Sequence, residues 1–525
     1  MLVSSWLKIV LIGGVFAFVR RAEVKKNGHQ VNIRIGHLLK NNSALAHEPD
    51  VLRLCAKELA LRSILPANFT LEVFTMSSCE AFNGVEHAAF MHYKRSTTVY
   101  FGPGCNDEML VIGRLASRWN VPIIAHTSGH DALANRHIFT TLGSVALTSA
   151  IEMAKATHTF IQLNRWKQVA IVRSSEDYER LSVYSLANVL KGSQISVNIQ
   201  LEVNSMATVD DLLASNILKT LKRSARIIIV ELGMDLDTVT NFMIAVHRCG
   251  MKTEEFVYIL PWLAHVSFKH YLFHVNDYYP WEASGVDKHE VKAAFENTII
   301  ITAHGYDHKL VNEFQLKFAQ ETGILCSHYA SITYMSLYDA LYLYGLALRD
   351  AFDETDSEHV YLNGSFLWQK MINRQFIGMS GHVLTNKKAI RVPSYAIYHV
   401  SNGTVRVVQQ MKATLRGDCS RADDDEEDCF EHVPHELIND YWPSNDGKLP
   451  EDEPYCGFDA SLCDYTNVFV LAAIIACFTI SAPVTYLVYL REREKRLYDM
   501  TWRIPRESVR LVDDSRAVSS LYFKD

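Results

Sequence analysis

The hydrophobic and polar positions of this chain follow two alternating patterns. Short β-branched runs predict strands, and segments with apolar residues at helical spacing, such as residues 51–64 and 107–119, separate them. Strands are predicted at residues 31–36, 71–75, 98–101, 122–125, 168–172, 225–230, 256–260 and 298–302. Strands that alternate with helices at this interval predict parallel sheets built from βαβ units, and the length favours two sheets over one.

The pattern changes after residue 379. Extended segments at 395–399 and 405–409 are separated by Ser401, Asn402 and Gly403, which predicts a β-hairpin. Residues 418–428 are acidic and poor in hydrophobic side chains. They are interpreted as a loop or a stalk linker with no role in ligand binding.

Residues 468–490 carry no charged side chain. These 23 residues are long enough, as a helix, to cross a hydrocarbon core of about 30 Å. The alternative is a buried helix of a soluble protein. Acidic residues precede the segment and basic residues follow it, at Arg491, Arg493, Lys495 and Arg496. This asymmetry predicts a cytoplasmic C-terminal side.

The N-terminus predicts a secretory signal peptide over residues 1–22. Lys8 precedes an apolar run at 9–19 that contains small residues at cleavage spacing. Arg20 and Arg21 follow the run directly, so an uncleaved anchor is the alternative. With the membrane helix, this predicts a single-pass plasma membrane protein with an extracellular N-terminus and a short cytoplasmic tail at 491–525.

The composition fits a large extracellular part. The chain has 525 residues, a formal net charge of -7 and 48% hydrophobic residues. Roughly 440 residues remain outside the membrane, enough for two or three domains. The mild acidity and the lack of a basic stripe argue against a nucleic-acid partner. Four residues begin N-glycosylation sequons: Asn41, Asn68, Asn363 and Asn402.

The cysteines predict disulfides. Nine of the ten lie before the membrane segment, where an oxidising compartment makes disulfides the default, and Cys477 lies within it. An odd number leaves one cysteine unpaired or paired with another chain.

Catalytic motifs are absent from the sequence. It contains no phosphate-binding G-x-x-x-x-G-K-[ST] loop, no G-x-S-x-G elbow and no H-E-x-x-H pair, so neither a cofactor nor a catalytic metal is predicted. His126 and His130 would need a helix to form a metal pair, whereas Thr127, Ser128 and Gly129 between them predict a loop.

The turn at residues 102–105, Gly-Pro-Gly-Cys, ends a strand and opens a helix. Unpaired N–H groups in such a turn can hold an anion or a ligand oxygen. A tight turn pinned by a disulfide is an equal alternative at this point.

Several segments resemble one receptor family. Residues 100–122, with Gly-Pro-Gly-Cys and then Trp119 and Pro122, resemble the atrial-natriuretic-factor receptor ligand-binding region. Residues 172–178, 245–260 and 337–348 resemble further parts of that region. Residues 442–463, with Cys-Gly-Phe-Asp and Cys463, and residues 502–504 resemble receptor guanylyl cyclases of the invertebrate sensory type.

The resemblance implies an α/β fold of the type I periplasmic-binding-protein class plus one transmembrane helix. Two αβα lobes would be joined by three crossing strands near Thr141, Ile301 and Ser380. Lobe 1 is expected at about 30–141 and 301–378, and lobe 2 at about 142–300 and 379–440. A stalk at 441–467, the membrane helix at 468–490 and the tail follow.

The resemblance also implies site residues. It implies disulfides Cys79–Cys105 and Cys456–Cys463, and leaves open whether Cys419 and Cys429 pair locally or with a second chain. The candidate ligand-binding residues by position in the fold are Gly104, Cys105, Thr127, Ser128, Gly129, Glu176 and Tyr178, with loop and capping roles as the alternative. The ligand would be a peptide or a small molecule, and the receptor a homodimer or a heterodimer with related receptors.

Two departures from the family pattern affect these expectations. The hairpin at 381–391 lacks the family's acidic residue and turn glycine, which leaves its turn open. The chain ends at Asp525, before any kinase-like or cyclase domain, so we expect a receptor subunit that makes no cyclic GMP itself. A clearance-type or decoy receptor and an adhesion or scaffold protein are the alternatives.

Overall fold

A computed structural model describes residues 30–147, 149–175, 180–232, 236–261, 288–303, 308–415, 430–459, 461–499 and 504–508. The predicted signal peptide and the acidic segment 418–428 lie outside these residues. The chain divides into two units, one up to Pro454 and one from Tyr455.

The described residues form strands and helices in alternation. The strands are β1 Val31–Lys40, β2 Phe69–Ser78, β3 Val99–Phe101, β4 Ile123–Ala125, β5 Leu142–Ser144, β6 Gln168–Ser174, β7 Ser196–Val203, β8 Ile227–Glu231, β9 Val257–Pro261, β10 Thr298–Ala303, β11 Gln375–Gly378, β12 Gly381–Leu384, β13 Tyr395–Ser401, β14 Thr404–Leu415 and β15 Phe430–Glu436. The helices are α1 Glu48–Leu61, α2 Asn83–Arg95, α3 Asn106–Trp119, α4 Ala150–Leu163, α5 Arg180–Lys191, α6 Val209–Ala214, α7 Ile217–Ser224, α8 Leu236–Arg248, α9 Lys288–Phe295, α10 His308–Thr322, α11 His328–Thr355, α12 Gly364–Gln369 and α13 Thr466–Tyr498.

Two large sheets organise the first unit. One has five parallel strands in the order β2-β1-β3-β4-β5. The other has eight strands in the order β15-β14-β13-β10-β9-β8-β6-β7, parallel from β10 to β7 and antiparallel beyond β10. We call each sheet with its helices lobe 1 and lobe 2 respectively. The predicted two-lobed α/β fold is confirmed.

The chain passes between the lobes three times: after β5, after β10 and between β12 and β13. The long helix α11 follows a strand of lobe 2 but packs in the core of lobe 1, against α1 and β3. The third passage lies beside the first, because Ser144 N donates to Ala389 O and Arg391 N donates to Ser144 O, both at 2.8 Å. The residue limits given for the lobes above remain predictions.

The turn at 386–391 forms without the family's usual residues. Asn386 Oδ1 accepts hydrogen bonds from the N–H groups of Lys388 (2.9 Å) and Ile390 (3.0 Å), as a carboxylate would. Ala389 takes the turn glycine's left-handed conformation at φ +53°. An amide oxygen therefore replaces the acidic residue, and the alanine bears the backbone strain.

Several boundaries differ from the predicted ones. Helix α1 begins at Glu48 rather than residue 51 because Pro49 suits the first helical turn. The strands β7 and β15 were not predicted, and β7 alternates exposed and half-buried positions at the sheet edge. The predicted hairpin is β13–β14, with Asn402 and Gly403 at φ +52° and +68° in its turn.

The second unit contains a disulfide and a long apolar helix. Cys456 and Cys463 are bonded, with Cα atoms 4.9 Å apart. Among the described residues, one helical stretch, Ser461–Tyr498, is long and apolar enough to cross a membrane, with a mean hydropathy of 2.3 in its most apolar window. Helix α13 lies within it and contains the predicted segment 468–490.

Candidate functional site

The carboxyl edge of the lobe 1 sheet carries the predicted Gly-Pro-Gly-Cys turn between β3 and α3. Gly102 has φ +84°, and a Cβ there would lie 2.6 Å from Leu38 O, so only glycine fits. Cys105 is bonded to Cys79, with Cα atoms 5.8 Å apart, as the resemblance implies. The disulfide therefore fixes the start of α3 to the end of β2.

The next strand end, after β4, lies against this turn. Ser128 is buried and its Oγ donates to Pro103 O at 3.2 Å. A side chain at Gly104 would approach Thr127 Oγ1 to 3.5 Å. The structure thus brings the predicted residues Gly104, Cys105, Thr127 and Ser128 together, and Gly129 continues the same loop. The predicted residues Glu176 and Tyr178 lie outside the described residues.

A buried polar cluster beneath this edge was not predicted. His37 of β1, Glu48 at the start of α1 and His126 after β4 are each at most 1% exposed. His37 Nε2 lies 3.0 Å from Glu48 Oε2, and His126 Nε2 lies 3.5 Å from Glu48 Oε1. Burial alone would raise the pKa of Glu48, but the interactions with His126 and His37 outweigh it and lower that pKa to about 2.

Asp131 of lobe 1 is hydrogen-bonded to lobe 2. It follows the Thr127–Gly129 loop in lobe 1, and its Oδ1 accepts from the N–H of Ile151 at 3.3 Å, at the start of α4 in lobe 2. Its Oδ2 accepts a hydrogen bond from the Ser185 hydroxyl of α5. A carboxylate at a helix N-terminus is favourably placed, so Asp131 links lobe 1 to the start of α4 in lobe 2.

A second buried network lies where the chain crosses between the lobes. Asp339 of α11 accepts from Met379 N at 2.6 Å and Ser380 N at 3.1 Å. Arg391 Nη1 donates to Ser380 Oγ at 2.6 Å and lies 3.8 Å from Asp339. The two charged residues are 0% and 2% exposed. The network ties α11 to the third crossing segment.

The segment before the second unit is docked on lobe 2. Trp442 is buried, and its Nε1 donates to Glu254 O at 2.9 Å. Trp166 Nε1 donates to Pro450 O at 2.8 Å. Asp452 Oδ2 accepts from the N–H groups of Lys167 and Gln168, at 2.5 and 2.7 Å. Residues 442–452, the first part of the predicted stalk, are therefore held on lobe 2.

Metal binding has little support among the described residues. In the part of the chain that the structure describes, the one group of side chains close enough together to share an ion is Cys79, Cys105 and Glu108. The two cysteines form a disulfide, so only the Glu108 carboxylate remains as a ligand. His126 and His130 lie in a loop, as predicted, and His130 Nδ1 accepts from Ala132 N at 3.0 Å.

Comparisons with known proteins identify the family. The ANF-receptor family model, described as the receptor family ligand binding region, matches residues 50–403. The chain belongs to this receptor family. Its fold is also that of an ABC transporter substrate-binding protein from Desulfitobacterium hafniense in complex with Leu, at 13% identity and a TM-score of 0.50, over 72% of this chain and 99% of that one.

Relatives of the receptor cover nearly the whole chain. It is 29% identical to the receptor-type guanylate cyclases gcy-8 and gcy-23 of Caenorhabditis elegans, over 94% of this chain and 43% and 46% of theirs. It is 24% identical to atrial natriuretic peptide receptor 2 of Anguilla japonica, over 92% of this chain and 46% of that one. The chain thus spans less than half the length of these relatives. With the apolar helix, they indicate a single-pass plasma membrane receptor.

Sequence reasoning found the strand-end loops of the receptor but missed the buried cluster. His37, Glu48 and His126 are far apart in the sequence, and each lies in an otherwise ordinary segment. The available signal was positional: His37 and His126 each fall near the carboxyl end of a predicted parallel strand, and such ends meet at one sheet edge.

Proposed function

We propose that this chain is the ligand-binding part of a single-pass receptor of the guanylyl cyclase type, with its N-terminus outside the cell. An extracellular ligand binds in the cleft between the lobes, and binding is transmitted to the membrane helix in a dimer. The observation that carries the proposal is the strand-end edge of lobe 1, where Gly104, Thr127 and Ser128 meet and Asp131 reaches lobe 2. Ligands of parallel α/β sheets bind at such edges.

The docked stalk supports transmission. Asp452, Trp166 and Trp442 fasten the last residues before the second unit to lobe 2. A change in the position of lobe 2 is therefore passed to the residues that lead into the membrane helix. N-glycans at Asn41, Asn68, Asn363 and Asn402 are part of the proposal.

Dimerisation with a second copy is supported by one face of lobe 1. Phe82, Phe90 and Tyr93 are 55%, 45% and 71% exposed. Phe90 and Tyr93 are three residues apart and lie on one side of α2, and Phe82 directly precedes the helix. Exposed aromatic residues on one helix face are typical of protein–protein contacts. A single membrane helix also carries a signal best as a change in the relation of two chains.

A binding experiment tests the ligand site. The full chain is displayed on cells, and saturable binding of two probes is measured: a radioiodinated natriuretic-type peptide and tritiated leucine. We expect one probe to bind, Ser128→Trp to abolish that binding by filling the strand-end edge, and the exposed Ser196→Trp to preserve it. Equal binding by wild type and Ser128→Trp would contradict a site at this edge, and no binding of either probe would exclude these two compounds as ligands.

A mass measurement tests the dimer. The full chain in detergent is expected to have a dimeric protein mass that Tyr93→Glu reduces to the monomeric value. Leu316→Glu, at an equally exposed apolar residue of α10, should leave the dimer intact. A monomeric wild type, or equal effects of the two variants, would contradict dimerisation through α2.

A further inference from the structure

The buried cluster His37–Glu48–His126 has a chemistry that ligand binding does not require. Its three residues come from β1, α1 and the end of β4, so the cluster joins three elements beneath the carboxyl edge of lobe 1. One carboxylate lies between two imidazoles, each facing a different carboxylate oxygen. Histidine is the side chain whose charge changes between about pH 5 and 8.

The two histidines are held differently. His37 has partners on both ring nitrogens, Glu48 at 3.0 Å and Thr75 Oγ1 at 3.1 Å. His126 lies 3.5 Å from Glu48 Oε1, and neither of its ring nitrogens has a hydrogen-bond partner among the described residues. A buried imidazole without hydrogen bonds is costly. Protonation would convert the 3.5 Å contact into a charged hydrogen bond, which is typically about 2.7–2.9 Å long.

The Glu48 carboxylate has few charged neighbours other than the imidazole rings of His37 and His126. Within the described part of the chain, the ion-pair partners of Glu48 are His37 and His126. Among the described residues, the other titratable groups nearby include His47, which directly precedes α1, and Asp50 of α1, which lies 3.1 Å from His47 and 2.6 Å from Arg53. Tyr334 of α11 also lies nearby, with its hydroxyl 3.2 Å from His47 N. The cluster carries a net charge of −1 with both rings neutral and reaches zero when it binds one proton.

A short segment connects His126 to the second lobe. Thr127, Ser128 and Gly129 follow it directly, and Asp131 ends the segment with its contacts to Ile151 N and the Ser185 hydroxyl. Any shift of His126 toward Glu48 therefore acts on a loop that is anchored in lobe 2 only five residues later.

We propose that His37, Glu48 and His126 form a proton-binding site that controls the cleft. Binding of a proton draws His126 onto Glu48, orders residues 126–131 and strengthens the contact of Asp131 with lobe 2. The receptor then senses the acidity of its surroundings through lobe 1. This inference goes beyond the proposed function because it requires no ligand.

Hydrogen exchange of the full chain in detergent tests the inference, without added ligand, at pH 5.5 and pH 7.5 after correction for the intrinsic rates. In wild type, we expect protection of residues 127–131 to be about tenfold higher at pH 5.5, the equivalent of about 1.4 kcal/mol for one charged hydrogen bond. His126→Gln, which cannot take the proton, should lose this difference. His359→Gln, at an exposed histidine, should retain it.

A second variant tests the connection to lobe 2 and does not alter the cluster. Asp131→Asn should retain the pH response at residues 127–129 and lose it at the start of α4, residues 150–153. Equal protection of wild type at both pH values, or an unchanged response in His126→Gln, would overturn the proton site. A response at α4 that persists in Asp131→Asn would overturn the route to lobe 2. Because no ligand is present, either failure leaves the proposed ligand binding untouched.

Discussion

Replacing Arg391 by methionine should cost the protein several kcal/mol, because Arg391 is buried and faces Asp339. The substitution keeps most of the side-chain volume and removes the charge that faces Asp339. Asp339 is 0% exposed and Arg391 is 2% exposed. At their separation of 3.8 Å, the attraction is about 4 kcal/mol for an effective dielectric constant of about 20. Removing one partner of a buried pair typically costs about 3–5 kcal/mol. Burial already raises the pKa of Asp339 in spite of Arg391, so without the arginine the carboxyl group must stay as an uncompensated charge or take up a proton.

The assay is urea unfolding of the purified full chain, with a surface arginine as the matched control. Arg349 pairs with Asp353 at 2.7 Å, but the two side chains are 41% and 53% exposed. Arg349→Met should therefore cost only about 0.3–0.5 kcal/mol. The double variant Asp339→Asn/Arg391→Met should recover part of the loss, since it removes the orphaned charge. If Arg391→Met and Arg349→Met lowered the free energy of unfolding equally, the reasoning about the buried crossing would be refuted.

Three further outcomes are expected. The pKa of Glu48 is about 2 in the folded chain, against an ordinary value of 4.5, so the stabilisation from its carboxylate is complete above pH 4.5 and falls as the pH approaches 2. Wild type should therefore lose about 2 kcal/mol more than Glu48→Gln between pH 5 and pH 3 in urea unfolding, and parallel curves would contradict this. Asp452→Asn should raise the hydrogen exchange of residues 441–454 about tenfold, because the charged hydrogen bonds of Asp452 are lost. Glu451→Gln, at the exposed neighbouring residue, should leave that exchange unchanged. Equal exchange in the two variants would argue against the docked stalk. Asn386→Ala should cost about 1–3 kcal/mol because two N–H groups lose their acceptor, and Asn386→Asp should not; an equal loss in both would show that the acceptor is irrelevant.

The fold was largely predictable because the central strands of the two large sheets are buried on both faces. Residues 227–230 and 299–301, for example, are continuously apolar, and they lie in β8 and β10. Burial of a parallel strand demands that pattern. The edge strand β7 carries a weaker signal, since half of its side chains face solvent, and it was missed.

The turn at 386–391 shows that a sequence motif can be lost while the physical requirements of the turn are still met. The family pattern has an acidic residue and a glycine, and their loss left the turn open. The turn needs an oxygen acceptor and a residue that tolerates positive φ, and Asn386 and Ala389 supply both. The turn therefore forms in this chain with residue types other than those of the family pattern.

The candidate site was predictable only in part. Gly104 and Thr127–Gly129 follow strands in the sequence, so their meeting at one edge follows from parallel topology. The contacts that His126 and Asp131 make do not follow from this topology. Glu48 lies in another βα unit and Ile151 and Ser185 lie in the other lobe, so their contacts depend on how helices and lobes pack. No local pattern encodes that packing.

One measurement tests the central claim most directly: hydrogen exchange across the full chain during titration with whichever probe binds it. The account predicts slower exchange at residues 127–131 and, over the same concentration range, altered exchange at residues 441–454 of the stalk. Saturable binding that leaves residues 127–131 unchanged would contradict a ligand site in the cleft between the lobes.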